Sequence, residues 1–139
     1  MKTIRAWVYA LLKYKENIVV ILKKRWPFTG MYDLPGGKIE HWENHISALK
    51  RELEEETGYI GDLIPIGAVY TSPGFCNELI HLYIAKNLVK TKQHLDEGEF
   101  LNVVSIPLEE IWKLIKQGQI TDAKTLAAFT LAKEHLWNL

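Results

Sequence analysis

Apolar and polar positions change period several times along the chain, and each change marks an element. Residues 5–13 and 18–23 are largely apolar runs joined by Tyr14-Lys15-Glu16-Asn17, which predicts two strands and a turn. A loop over Trp26-Pro27-Phe28-Thr29-Gly30 leads to a short extended piece at Asp33-Leu34 and a tight turn at Pro35-Gly36-Gly37. From residue 45 to about residue 57 the period is helical, with Ile46, Leu49 and Leu53 on one stripe that should pack on a sheet. Asn44 is placed to cap this helix and Gly58 to end it in left-handed backbone. Three further β segments are predicted over residues 59–70, 79–85 and 100–105, the first interrupted near Pro65, with Ser72-Pro73-Gly74 as the turn between the first two. Pro107 opens a second helix with Leu108, Ile111 and Ile115 on one face and Gly118 at its end. Thr121 can cap a third helix that runs to about residue 136. Strands come mostly first and connections are short, so the expected class is α+β, a central mixed sheet covered by helices.

Composition narrows the function classes. The 139 residues suit one domain over 1–139, and no linker or repeat divides them. Lys plus Arg equals Asp plus Glu at 17 each, so no global field favours nucleic acid or an acidic membrane. No apolar run approaches a membrane span and no signal peptide is apparent, so neither a membrane nor a nucleic-acid partner is expected. The single Cys76 allows no internal disulfide and no multi-cysteine zinc site, which suits a reducing cytoplasm as the expected location. His41 and His45 have no third nitrogen ligand suggested nearby, so a histidine metal site is not expected.

The chemistry concentrates in Arg51-Glu52-Leu53-Glu54-Glu55-Glu56, four acids in five residues near a helix C-terminus. Each is disfavoured there by roughly 0.3–1 kcal/mol against the helix dipole, before mutual repulsion is counted. Glu52, Glu55 and Glu56 are three and four apart, and their mean direction lies about 100° from the apolar stripe, at the flank of the buried face. Glu54 points elsewhere. Arg51 can reach Glu55 along the helix and Glu43 in the preceding loop, an arrangement that would aim the other acids. Taken alone, a solvated acidic face explains the run better than a cation site does. The bend Pro35-Gly36-Gly37-Lys38 brings backbone groups and one ammonium beside the acids, which together describe a metal–phosphate site.

Gly37, Glu43 and Arg51-Glu52-Leu53-x-Glu55-Glu56-x-Gly58, at these spacings, resemble the signature box of the Nudix hydrolases. Two positions depart from the family pattern: Tyr59 stands where the box usually closes with an aliphatic residue, and Trp42 where a small residue is common. The resemblance implies a Nudix-type α/β/α sandwich and hydrolysis of a pyrophosphate linkage in a nucleoside diphosphate derivative. It further implies that Glu52, Glu55 and Glu56, with the Gly36 carbonyl, hold Mg²⁺ or Mn²⁺, while Arg51 and Glu43 orient them. A general base from a loop after the last strands would fall on Glu97 or Glu99, with Glu97 preferred because Glu99 abuts the next strand.

Substrate indications divide. Leu34-Pro35-Gly36-Gly37-Lys38 resembles Nudix enzymes that act on nucleoside triphosphates. Ser72-Pro73-Gly74-Phe75 with Glu78, then His81-Leu82-Tyr83 and Ile120-Thr121-Asp122-Ala123-Lys124-Thr125, resemble ADP-ribose pyrophosphatases. ADP-ribose or a related nucleoside diphosphate sugar is the preferred expectation; a triphosphate pyrophosphohydrolase and a non-catalytic nucleotide-sensing module are the alternatives. Lys38 and Gly37 are expected at the phosphates, and Arg25, in Lys23-Lys24-Arg25, is placed to steer them. A surface turn and a solvated strand end are the plain readings of Lys38 and Arg25. Trp26, Phe28, Tyr32 and Phe75 are the loop aromatics on which a base can stack, with packed structure the plainer reading of any one of them, while Trp7, Trp112 and Trp137 are assigned to the core or an interface. A homodimer is left open.

Overall fold

A computed structural model describes residues 3–91 and 101–137. Strands β1 (Arg5–Tyr14) and β2 (Asn17–Lys23) form the predicted hairpin, with Tyr14 opposite Asn17. Strands β3 (Tyr32–Asp33) and β4 (Gly36–Lys38) precede helix α1 (His45–Thr57). Then come β5 (Tyr59–Tyr70), β6 (Glu78–Lys90) and β7 (Leu101–Pro107), a 3₁₀ turn over Leu108–Glu110, and helices α2 (Ile111–Lys116), α3 (Ala123–Leu131) and α4 (Lys133–Trp137). The sheet runs β3-β2-β1-β6-β5, with β4 added to β1 and β7 to β2. β1 and β6 are parallel and the other pairs antiparallel, which makes the sheet mixed.

Strand alternation splits the core into two layers. Val8, Ala10 and Leu12 of β1 pack with Ala48, Leu49 and Leu53 of α1. Leu11, between them in sequence, faces the other way, into a cluster with Ile111, Ala128, Phe129 and Leu136 from α2, α3 and α4. β1 is therefore buried on both faces, and the sheet is sandwiched between α1 and the C-terminal helices. Among the described residues no helix is long and apolar enough to cross a membrane.

Several expectations change in the folded chain. The glycine bend is not only a turn: Gly36, Gly37 and Lys38 form β4, opposite Tyr9, Val8 and Trp7. Pairing satisfies backbone groups that a turn here would leave against the sheet edge. Ile46 is 37% exposed, and the buried face of α1 is Ala48, Leu49, Leu53 and Thr57. The third helix is capped by Asp122 rather than Thr121 and breaks at Ala132 into α3 and α4. Asp122 wins because its Oδ2 accepts from both Thr125 N–H and Thr125 Oγ1–H, at 3.2 and 2.7 Å. The strand expected over residues 79–85 extends to Glu78–Lys90, since β1 and β5 offer it partners on both sides. Pro107 ends β7, and a 3₁₀ turn intervenes before α2.

Candidate active site

Both ends of α1 are fixed locally. Asn44 Oδ1 accepts the Ser47 N–H at 2.8 Å, and Gly58, at φ 73°, donates its N–H to the Glu54 carbonyl at 3.0 Å. Leu49 and Leu53 seat the helix on β1. Because Glu52 follows Ala48 by one turn, and Ala48 is fully buried, Glu52 leans towards the sheet more than a stripe through Ile46 implies. Only 18% of its side chain is exposed, against 39% for Glu55.

Backbone and carboxylate meet at β4. A Cβ built on Gly37 would stand 2.6 Å from both Cδ and Oε1 of Glu52, so only glycine lets this strand lie against that carboxylate. Gly36 holds φ 152°, and a Cβ there would run into the Val8 carbonyl and Tyr9. Two glycines thus fill the narrow space between β1 and α1, each for its own steric reason.

Arg51 organises the acids. Its Nε and Nη2 donate to Glu43 Oε2 and Oε1 at 2.7 and 2.9 Å, a two-pronged contact that ties the loop to the helix. Its Nη1 reaches Glu52 Oε1 at 3.1 Å and Glu55 Oε2 at 3.5 Å. Glu43 is 8% exposed at its side chain and also accepts the Glu40 N–H at 3.3 Å. The hydrogen bond from Arg51 holds the Glu43 carboxyl below its ordinary range despite burial, with the Glu40 amide helping. Arg51 is raised in turn, first by that bond and then by Glu52, Glu43 and Glu55 against the effect of burial. Glu52 is pushed up by burial, and by Glu55, more than Glu56 and Arg51 pull it down.

These are hard oxygen donors along one helix edge. No group of three His, Cys, Asp or Glu side chains among the described residues is drawn together closely enough to hold a metal ion. Hard oxygen donors of this kind suit Mg²⁺, which usually keeps several waters and takes substrate phosphate into its shell.

The other sequence candidates spread around this centre. Lys38 is exposed on β4, beside a groove that includes His41, Glu43 and His45. Phe75 is 87% exposed in the turn between β5 and β6, and Arg25 is exposed just after β2. Glu97 and Glu99 lie outside the described residues. Tyr59 packs under α1 with its ring 5.4 Å from that of Tyr14, and Trp42 is 81% exposed.

On the sheet face opposite α1 is a cleft of about 300 Å³ lined by Trp7, Tyr9, Thr71, Glu78, Asp122 and Lys124. Thr71 Oγ1 donates to Glu78 Oε1 at 3.1 Å. Trp7, assigned to the core or an interface from sequence, lines this cleft, and its Nε1 is a buried donor without an acceptor among the described residues. Tyr9 is held well above the usual tyrosine range, first by burial and then by Asp33, Glu56, Asp122 and Glu52. Sequence reasoning missed Trp7 and Tyr9 here; the alternation along β1, which sets both opposite Val8, was the signal that could have found them.

A family model described as NUDIX domain matches residues 1–129. The chain is 40% identical over 116 residues to an ADP-ribose pyrophosphatase of Bacillus subtilis (strain 168), covering 81% of this chain and 63% of that protein. It is 39% identical over 118 residues to a methanol dehydrogenase activator of Bacillus methanolicus, covering 82% and 64%. An ADP-sugar pyrophosphatase of Mus musculus is 33% identical over 134 residues, covering 86% and 61%. The chain thus spans a little over three-fifths of the length of these relatives. A crystal structure of an ADP compounds hydrolase superposes with a TM-score of 0.83 at 24% identity, covering 98% of this chain and 75% of its own, which speaks for the fold. The two-faced sheet, its carboxylate helix and a family match running from residue 1 to residue 129 agree: the chain belongs to the Nudix family.

Proposed function

We propose that this chain is a pyrophosphohydrolase, dependent on Mg²⁺ or Mn²⁺, that cleaves nucleoside diphosphate derivatives, with ADP-ribose or a related nucleoside diphosphate sugar as its substrate. The observation that carries the reading is the Glu52 carboxylate, packed against Gly37 and held by Arg51, itself locked on Glu43. The names of the relatives in Bacillus subtilis and Mus musculus support the substrate class.

Glu52, Glu55 and Glu56, with the Gly36 carbonyl, would hold the cation. Bound there, it would neutralise charge growing on the leaving phosphate oxygen and acidify an attacking water. The remaining work belongs to the chain. Arg51 keeps the acids aimed and compensates their mutual repulsion, so no side chain need reorganise at the moment of reaction. Lys38, on β4 next to Gly37, supplies a mobile positive charge for a substrate phosphate. The cleft opposite α1 offers aromatic surface from Trp7 and Tyr9 and the acceptor Glu78 to an uncharged nucleoside or sugar end. Glu97 remains the candidate general base.

Hydrolysis of ADP-ribose by water gives AMP and ribose 5-phosphate. A panel of ADP-ribose, GDP-mannose and nucleoside triphosphates, each with Mg²⁺ and resolved by anion-exchange chromatography, tests this. Production of AMP from ADP-ribose, with triphosphates untouched, is expected. Turnover of triphosphates with ADP-ribose intact would overturn the substrate assignment, and no turnover of any nucleotide would overturn the enzyme.

A further inference from the structure

Lys124 occupies an unfavourable place. It is the second residue of α3 after the Asp122 cap, where a helix repels positive charge, and only 13% of its side chain is exposed. A buried ammonium at the positive end of a helix needs a specific reason. The structure supplies one. Its Nζ lies 2.6 Å from Asp33 Oδ1 and 3.0 Å from Asp122 Oδ2, and stands over the Tyr9 ring at 4.7 Å from the centroid. Burial pulls the ammonium towards neutrality, but Asp33 and Asp122 more than offset it and keep it charged.

Asp33 is the other half of the device. It ends β3, and its Oδ1 also accepts the N–H of Leu34 at 2.7 Å, while Oδ2 takes Lys23 of β2 at 3.4 Å. Leu34 is 2% exposed, and the Pro35 carbonyl accepts the Ala10 N–H at 3.1 Å. No slack separates these fixed points from Gly36 and Gly37, which run directly into pairing with β1 and against Glu52. A shift of Asp33 would therefore be delivered to the glycine pair rather than absorbed by a loop.

We propose that the Asp33–Lys124 ion pair is a positioning device for the reaction, locking the start of α3 to the segment that presents Gly36 and Gly37 to the carboxylate helix. Lys124 and Asp33 are positioning residues that act through the Gly36 carbonyl and the Glu52 carboxylate. The inference rests on the cation site proposed above.

The full chain and its Lys124→Met, Lys124→Arg and Asp33→Asn variants are compared in three measurements: thermal midpoint, Mn²⁺ affinity by electron paramagnetic resonance of the free ion, and kcat and KM on ADP-ribose. Lys124→Met and Asp33→Asn should weaken Mn²⁺ binding and lower kcat by about tenfold each, the scale seen when the partners that orient metal ligands are removed. KM should move much less. Lys124→Arg, which can still bridge two carboxylates, should recover most of both losses, and the Asp33→Asn/Lys124→Met double variant should be no worse than either single change. A lowered thermal midpoint with unchanged Mn²⁺ affinity and kcat would overturn the proposal and leave the pair a structural one. If Lys124→Met does not fold, Lys124→Arg and Asp33→Asn decide by the same criteria. Wild-type chain that binds no Mn²⁺ would sink the cation site and this inference together. Mn²⁺ binding that responds to the variants while ADP-ribose stays intact would keep the positioning role and remove only the substrate.

Discussion

Gly37 and Glu52 are fitted to each other: the missing side chain of one is the space occupied by the carboxylate of the other, at 2.6 Å from where a Cβ would be. Gly37→Ala should therefore fold, because Glu52 can swing its flexible end aside, at a cost of about 1–3 kcal/mol for the forced rearrangement. Activity should suffer more than stability, since the displaced group is the one proposed to meet the cation. Thermal melts alongside kcat on ADP-ribose would check this; an Ala variant with wild-type kcat would show that the close approach is only packing.

Glu52→Gln keeps the shape and removes the charge. The expected loss is at least about 3 kcal/mol in the barrier, the scale of a key electrostatic contact. Glu54→Gln on the same helix serves as the comparison and should stay close to wild type. Steady-state kinetics on both variants make the test, and a Glu52→Gln enzyme within threefold of wild type would refute the assignment.

The Glu43–Arg51 pair should be visible in acid. Arg51 holds the Glu43 carboxyl in the folded chain below its ordinary value of 4.5. The folded state therefore prefers the ionised form. The stability so gained is complete above that unfolded value and is lost as pH falls through the lower folded one. Thermal midpoints measured from neutral pH into the acid range should fall less steeply for Glu43→Gln than for wild type, from a lower neutral starting point. Parallel curves would show that the pair contributes no linkage.

Seating of α1 can be tested away from the chemistry. Leu53 is 1% exposed and packs with the β1 residues facing α1. Leu53→Ala should cost about 2–5 kcal/mol, depending on how far the layer collapses into the cavity. Urea denaturation gives the number. A loss below the lower bound would mean that the helix is held by its caps and the Arg51 contact rather than by this face.

Contacts between chain neighbours were legible before any tertiary partner was known. The caps Asn44 and Gly58 and the spacing of Glu52, Glu55 and Glu56 are set by contacts a few residues apart, and the hairpin by its short turn. The reach of Arg51 to Glu43 was legible for the same reason, because the helix start fixes their separation. The remainder depended on partners distant in the chain. Ile46 matches the helical period yet stays exposed, since Ala48 permits closer approach to β1 and so claims the buried side. The glycine bend became β4 only because β1 offered it a free edge, and the Asp33–Lys124 pair joins segments far apart in the chain. Periodicity reports which face of an element is apolar; which strand edge or which distant charge it meets is settled by competition among partners that exist only once the sheet has formed.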